Sequence, residues 1–124
     1  MNPKRPINLE LSTLHFPVMA ITSIMHRLSG VAIFLLLPLM LYLLQESLSS
    51  ADSFQHLQVW LQNPMMKLML WFFVSALFYH FMAGIRHMLG DLGWGEEVKT
   101  ARASAKILLI LTVVSTSLLG VWLW

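Results

Sequence analysis

Three stretches of this chain contain no Asp, Glu, Lys or Arg: residues 28–44, 68–85 and 107–124. Each is about 17–18 residues long, close to the lower limit for crossing a hydrocarbon core of about 30 Å. Flanking residues such as 21–25 can lengthen the first. Lipid offers no water to backbone N–H and C=O groups, so runs of this length must satisfy them internally, as helices. The expected fold is an all-α membrane protein: one small domain, 1–124, with three transmembrane helices over about 21–45, 65–88 and 104–124. The composition agrees. With 57% hydrophobic and 11% charged residues, the chain has too little charge to cover a soluble domain of this size.

The basic residues are unevenly placed. Lys4, Arg5 and Arg27 precede or open the first span, and Arg86, Lys99, Arg102 and Lys106 lie in or beside the second loop. The first loop, 47–63, has none, and only Lys67 is near it. The positive-inside rule then predicts a cytoplasmic N-terminus and second loop, with the first loop and C-terminus on the opposite side. Trp122 and Trp124 suit an aromatic belt there, and Trp94 suits one on the cytoplasmic side. The first apolar run is too long for a signal-peptide h-region, so it is expected to be retained. Pro17 suits the first turn of a helix, and Pro38, in mid-span, predicts a kink. Gly90, Gly93 and Gly95 predict a turn before the last helix.

His80 is the one ionisable side chain within 68–85 apart from the phenol of Tyr79. An imidazole in hydrocarbon is costly without a partner and marks a functional site. His80, Gly84, His87 and Asp91 share one helical stripe. Ala76 and Gly84 bracket His80 and open a flat recess beside its ring, into which a planar macrocycle could fit. The competing reading is a small-xxx-small helix contact, with His80 bonded to a neighbouring helix. His80 lies roughly 9 Å along the axis from Arg86, in the cytoplasmic third of the bilayer, and about 10 Å from His87. A haem on His80 could direct its propionates toward Arg86 or His87; equally, those two residues could only mark the membrane surface. A six-coordinate haem needs two axial ligands. On the sequence alone His26 and His87 are too shallow to face His80 across such a ring without distortion, and although Met40, Met69 and Met82 could ligate, nothing favours one; the simplest reading takes the second ligand from another polypeptide.

Ser23 and Arg27 are four apart and share a helix face at the start of the first span. A hydroxyl and a guanidinium at that depth can hold a quinone: Ser23 donates to a carbonyl oxygen, and Arg27 stabilises negative charge on the half-reduced ring. The plainer reading is an arginine snorkelling to lipid phosphate, with Ser23 capping or back-bonding. His15 and His56 lie outside the spans and receive no role. The chain has no cysteine, which excludes disulfides, iron–sulfur ligation and thiolate-bound haem within it. A formal charge of +2, evenly spread, gives no sign of nucleic acid binding.

Arg5-Pro6, then Ser23-Ile24-x-His26-Arg27-x-Ser29-Gly30, then His80-x3-Gly84-Ile85-Arg86-His87-x3-Asp91, together with the Ser104-Ala105-Lys106 start of the last helix, resemble one family along nearly the whole chain. It is that of the cytochrome b membrane-anchor subunits (the larger anchor) of succinate dehydrogenase, in their proteobacterial form. Leu14-His15-Phe16-Pro17 departs from the Ser-Pro-His-Leu pattern of many relatives. The resemblance implies a multi-pass subunit of succinate:ubiquinone oxidoreductase, respiratory complex II of the tricarboxylic acid cycle, in the bacterial inner membrane. It implies as partners a flavoprotein, an iron–sulfur protein and a second anchor. Haem b would be shared between the two anchors, with His80 as this chain's axial ligand to iron. His26, Arg27 and His87 would lie near the propionates, and Ser23 and Arg27 in the ubiquinone pocket. Succinate oxidation itself would occur in another subunit. The alternative from the residues alone is a purely structural anchor without its own cofactor; a transporter or channel subunit is disfavoured by the lack of an acidic residue inside the spans.

Overall fold

A computed structural model describes residues 17–124; Arg5-Pro6 and His15, singled out above, lie outside the described residues. All regular structure among the described residues is helical: α1 Val18–Ser49, α2 Ala51–Trp60, α3 Pro64–Asp91 and α4 Val98–Leu123. Three of these, α1, α3 and α4, are long and apolar enough to cross a membrane. Pro17 is the N-cap of α1, and its carbonyl accepts from Ala20 N–H at 2.9 Å. Helix α1 continues through Pro38 as one element, since a single proline removes one backbone bond while packed neighbours hold the rest.

Residues 47–63, a loop on the sequence reading, contain the helix α2. Its start is fixed by a reciprocal pair: Ser50 Oγ accepts from Ser53 N–H, and Ser53 Oγ accepts from Ser50 N–H, each at 3.0 Å. Ser53 Oγ also contacts the carbonyl of Glu46 at 2.8 Å, which ties α2 back onto the end of α1. The sequence signal was weak because the usual Glu or Gln of a capping box is replaced here by a serine. Helix α3 starts with Asn63 as its cap, its Oδ1 accepting from Met65 N–H at 2.9 Å, and Pro64 as its first residue; proline there loses no helical bond. Between α3 and α4 the chain turns at Gly93 and Gly95, with φ of 82° and 78°, a region side-chain-bearing residues rarely enter.

Helices α1, α3 and α4 pack pairwise against one another. The contact surfaces are small or polar: Thr22, Ser29, Ala83 and Ala105 are all buried, with Tyr79 and Leu108 filling the centre. Small residues let helix backbones approach closely where lipid gives no hydrophobic drive to association. Tyr79 and Trp71 are among the side chains that cross-link the bundle to backbone carbonyls. Tyr79 Oη donates to Thr22 O at 2.7 Å, and Trp71 Nε1 donates to Thr116 O at 2.9 Å. Gly120 admits the Trp71 ring, since a Cβ there would stand 3.2 Å from Nε1. Tyr79→Phe is expected to cost about 1 kcal/mol, read as a lower unfolding temperature in detergent. An unchanged melting curve would show that the Tyr79–Thr22 bond contributes nothing. Most large apolar side chains, among them Phe34, Leu35, Phe81 and Val113, are exposed, as expected for faces that meet lipid or other helices.

Candidate functional site

Helices α1 and α3 run antiparallel, with Gly30 against His80 and His26 against Gly84. This register decides where the histidines meet. His26 is level with the stripe of α3, and its ring lies flat on His80, with centroids 4.2 Å apart and planes 18° from parallel. His87 approaches the same ring at 5.2 Å and 40°. Three imidazoles from two helices thus form one cluster, with His26 touching both others. His26 therefore stands deeper relative to His80 than the edge of the charge-free run suggests, but it meets that ring directly and not across a macrocycle. Depth counted from the edge of a charge-free run ignores the register between helices, and four residues of α3 separate His80 from Gly84, only about 6 Å. The recess expected beside Gly84 is likewise filled by His26, whose Nε2 would stand 3.6 Å from a Cβ at that glycine.

His80 Nδ1 has two partners, Ser29 Oγ at 3.0 Å and the His26 carbonyl at 3.1 Å. A carbonyl only accepts, so Nδ1 carries the proton in that contact. Ser29 Oγ donates to the same carbonyl at 2.7 Å, leaving its lone pairs for Nδ1–H. With the proton on Nδ1, the lone pair of a neutral ring is on Nε2. That is the form in which histidine binds a metal, with its other ring nitrogen held by a carbonyl or similar acceptor. Gly30 makes the approach possible, for a Cβ there would lie 3.1 Å from His80 Cε1. Ser29 stands in the sequence motif but received no role from it; its function emerges only from the helix pairing. Among the described residues no group of three or more His, Cys, Asp or Glu is arranged to chelate a metal ion. The cluster could therefore offer iron single axial ligands, not a chelating cage.

His26 Nε2 is buried without a hydrogen-bond partner, a costly state for a polar atom. Ser23 and Arg27 each lie one residue, or 100°, beyond the packed positions Thr22 and His26, on an adjoining face of α1. Ser23 is half-buried and Arg27 is exposed. Thr22 and Ser29 bond back to their own helix, whereas Ser23 makes no such bond among the described residues, and its hydroxyl is open to an outside acceptor. Arg86 is committed elsewhere. Its Nε donates to Ser104 Oγ at 2.9 Å and its Nη2 to Ala101 O at 3.0 Å, a latch joining α3 to α4 that nothing in the sequence spacing signalled. A cavity of about 610 Å³ opens beside this latch, with His87, Asp91 and Trp94 on its walls. Ser23 and Arg27 are not part of it.

Residues 1–119 match the family described as succinate dehydrogenase/fumarate reductase transmembrane subunit. The chain is 49% identical, over the full length of both sequences, to the "Succinate dehydrogenase cytochrome b556 subunit" of Coxiella burnetii. It is 32% identical to the protein of the same description from Paracoccus denitrificans, over 89% of this chain and 85% of that one. It is 38% identical to the "Succinate dehydrogenase cytochrome b560 subunit" of Porphyra purpurea, over 73% of this chain and 74% of that one. The three long apolar helices and the matches along the whole sequence lead to one assignment: the chain belongs to the succinate dehydrogenase/fumarate reductase transmembrane subunit family.

Proposed function

We propose that this chain is the cytochrome b anchor of a succinate:ubiquinone oxidoreductase, holding haem b together with a second anchor and forming one wall of the ubiquinone site. The observation that carries this reading is the state of His80. Its Nδ1 is held by Ser29 and the His26 carbonyl, which leaves Nε2 as the ligating nitrogen. The residues suit a haem in a second way. His26 Nε2, buried and unpartnered, is a donor or acceptor in want of a group such as a propionate, and His87 lies next to it. Arg27, exposed on the adjoining face, would add a cation to that carboxylate environment. When bound, haem b supplies a one-electron carrier within the membrane. The second axial ligand would come from the partner anchor.

Ser23 and Arg27 would receive the quinone. The Ser23 hydroxyl, not bonded to its own helix, donates to a quinone carbonyl and fixes its orientation. Arg27 places a permanent positive charge where negative charge develops on that oxygen as electrons arrive. Ser23 is half-buried and Arg27 exposed on an outward face of α1, a position that suits a site completed by other subunits. The basic residues at the Arg27 and Arg86 end would place this end on the cytoplasmic side of the bacterial inner membrane, where the flavoprotein and iron–sulfur subunits would dock.

Extraction of the tagged full chain in mild detergent, followed by mass identification of what accompanies it, tests the reading. The expected result is recovery with a flavoprotein, an iron–sulfur protein and a second small membrane protein, with a b-type spectrum reduced by succinate. Recovery with these partners but no haem would leave a purely structural anchor, and recovery without them would overturn the assignment.

A further inference from the structure

At the other end of α1 from Arg27, the Ser50–Ser53 cap and the Ser53–Glu46 contact fold α2 back against the preceding helix. Leu43 and Leu57 are buried where the two meet. This creates a cavity of about 220 Å³ lined by Tyr42, Glu46, His56, Leu57 and Trp60. The Tyr42 and Trp60 rings face one another across 6.4 Å at 47°, and Glu46 is half-buried between helix and solvent. Two aromatic faces and a carboxylate around one small space are the elements that recognise an organic ammonium group. Residues 47–63 contain no Lys or Arg, and Glu46 forms no ion pair among the described residues. The nearest lysine in sequence, Lys67, is placed over the Trp124 ring at 5.9 Å. Among the described residues no lysine or arginine therefore supplies the cation for Glu46.

Position along the helix indicates where that cation comes from. Glu46 follows Arg27 by nineteen residues, about 28 Å of helix, which is close to one hydrocarbon thickness. With Arg27 at one headgroup layer, the cavity lies at the other. On the bilayer side of it the same face of α1 exposes Leu28, Val31 and Leu35, which with Phe72 of α3 line an apolar groove of about 550 Å³, a surface suited to acyl chains. We propose that this cavity is a binding site for the headgroup ammonium of a zwitterionic phospholipid. Tyr42 and Trp60 hold the ammonium over their faces, Glu46 neutralises it, and His56 can donate a ring N–H to the adjoining phosphate. Tyr and Trp are common at membrane interfaces without headgroup preference; the carboxylate is what makes this site selective, because it repels a purely anionic headgroup.

The test uses the full chain with its co-purifying subunits, delipidated and titrated with phosphatidylethanolamine, phosphatidylcholine or phosphatidylglycerol while bound lipid is counted by native mass spectrometry. The expected result is one tightly held copy of either zwitterionic lipid, bound about tenfold more tightly than phosphatidylglycerol. That preference falls to near unity in Glu46→Gln and in Trp60→Leu, while succinate–ubiquinone activity is unchanged in Glu46→Gln. Equal retention of all three lipids, or a preference that survives Glu46→Gln, overturns the proposal. So does loss of a partner subunit in Glu46→Gln with lipid binding intact, since the cation would then belong to a protein. If Trp60→Leu fails to fold, Glu46→Gln, which keeps the shape of the side chain, decides alone.

Discussion

Arg27→Leu is expected to lower succinate-driven ubiquinone reduction by about 10²-fold, while electron transfer from succinate to an artificial dye is unchanged. The magnitude follows from removing a fixed charge aimed at an oxygen that becomes negative during the reaction, a loss of roughly 10²–10³ in comparable sites. Ser23→Ala removes one neutral hydrogen bond of about 1 kcal/mol, so a fall of up to roughly tenfold is expected. The difference in size between the two variants is part of the prediction. Arg27 is exposed and forms no ion pair among the described residues, so its removal leaves no buried charge behind, and Ser23 is not part of the helix packing that Thr22 and Tyr79 maintain. Neither change should disturb the bundle. If quinone and dye activities fall together, the two residues serve assembly and not the quinone.

His80→Leu is expected to remove the wild-type b-type spectrum from the purified complex. Leucine has no ligating atom, and it also removes the ring N–H held by Ser29 and the His26 carbonyl and leaves the pocket facing Gly30 with an apolar side chain. His26 sets the form of the result. Its ring lies 4.2 Å from that of His80 with an unpartnered Nε2, so a second imidazole remains within the cluster when His80 is gone. Haem that persists in the single variant should therefore show shifted bands, and the double variant His26→Leu/His80→Leu should contain none. Ser29→Ala retains the ligand but loosens its orientation, and a loss of roughly 10–100-fold in haem affinity, as for other residues that orient a ligand, is expected with the band positions nearly unchanged.

Much of this was legible from residue order. Charge-free runs dictated the three long helices because lipid leaves the backbone no other way to satisfy itself. His80 was visible as an ionisable group where none is cheap. What the sequence could not give was register. Whether His26 reaches His80 depends on Gly30 and Gly84 letting α1 and α3 meet with 30 opposite 80 and 26 opposite 84, and no spacing within a single helix contains that information. The same holds for Ser29, for the Tyr79 bond to Thr22 and for Arg86, which the sequence left beside a possible haem and the fold turns toward Ser104 and Ala101. Helix α2 was missed for a different reason. It is ten residues long, too short to show a periodicity that stands out, and its cap relies on Ser53 in place of the usual acid or amide.

The account rests most heavily on His80, and the reduced-minus-oxidised absorption spectrum of the purified complex tests it most directly. His80→Leu, compared with wild type at equal content of the other subunits, should lose the wild-type b-type bands or replace them with shifted ones; bands of unchanged position and intensity would show that iron is not held by His80 and would contradict the account.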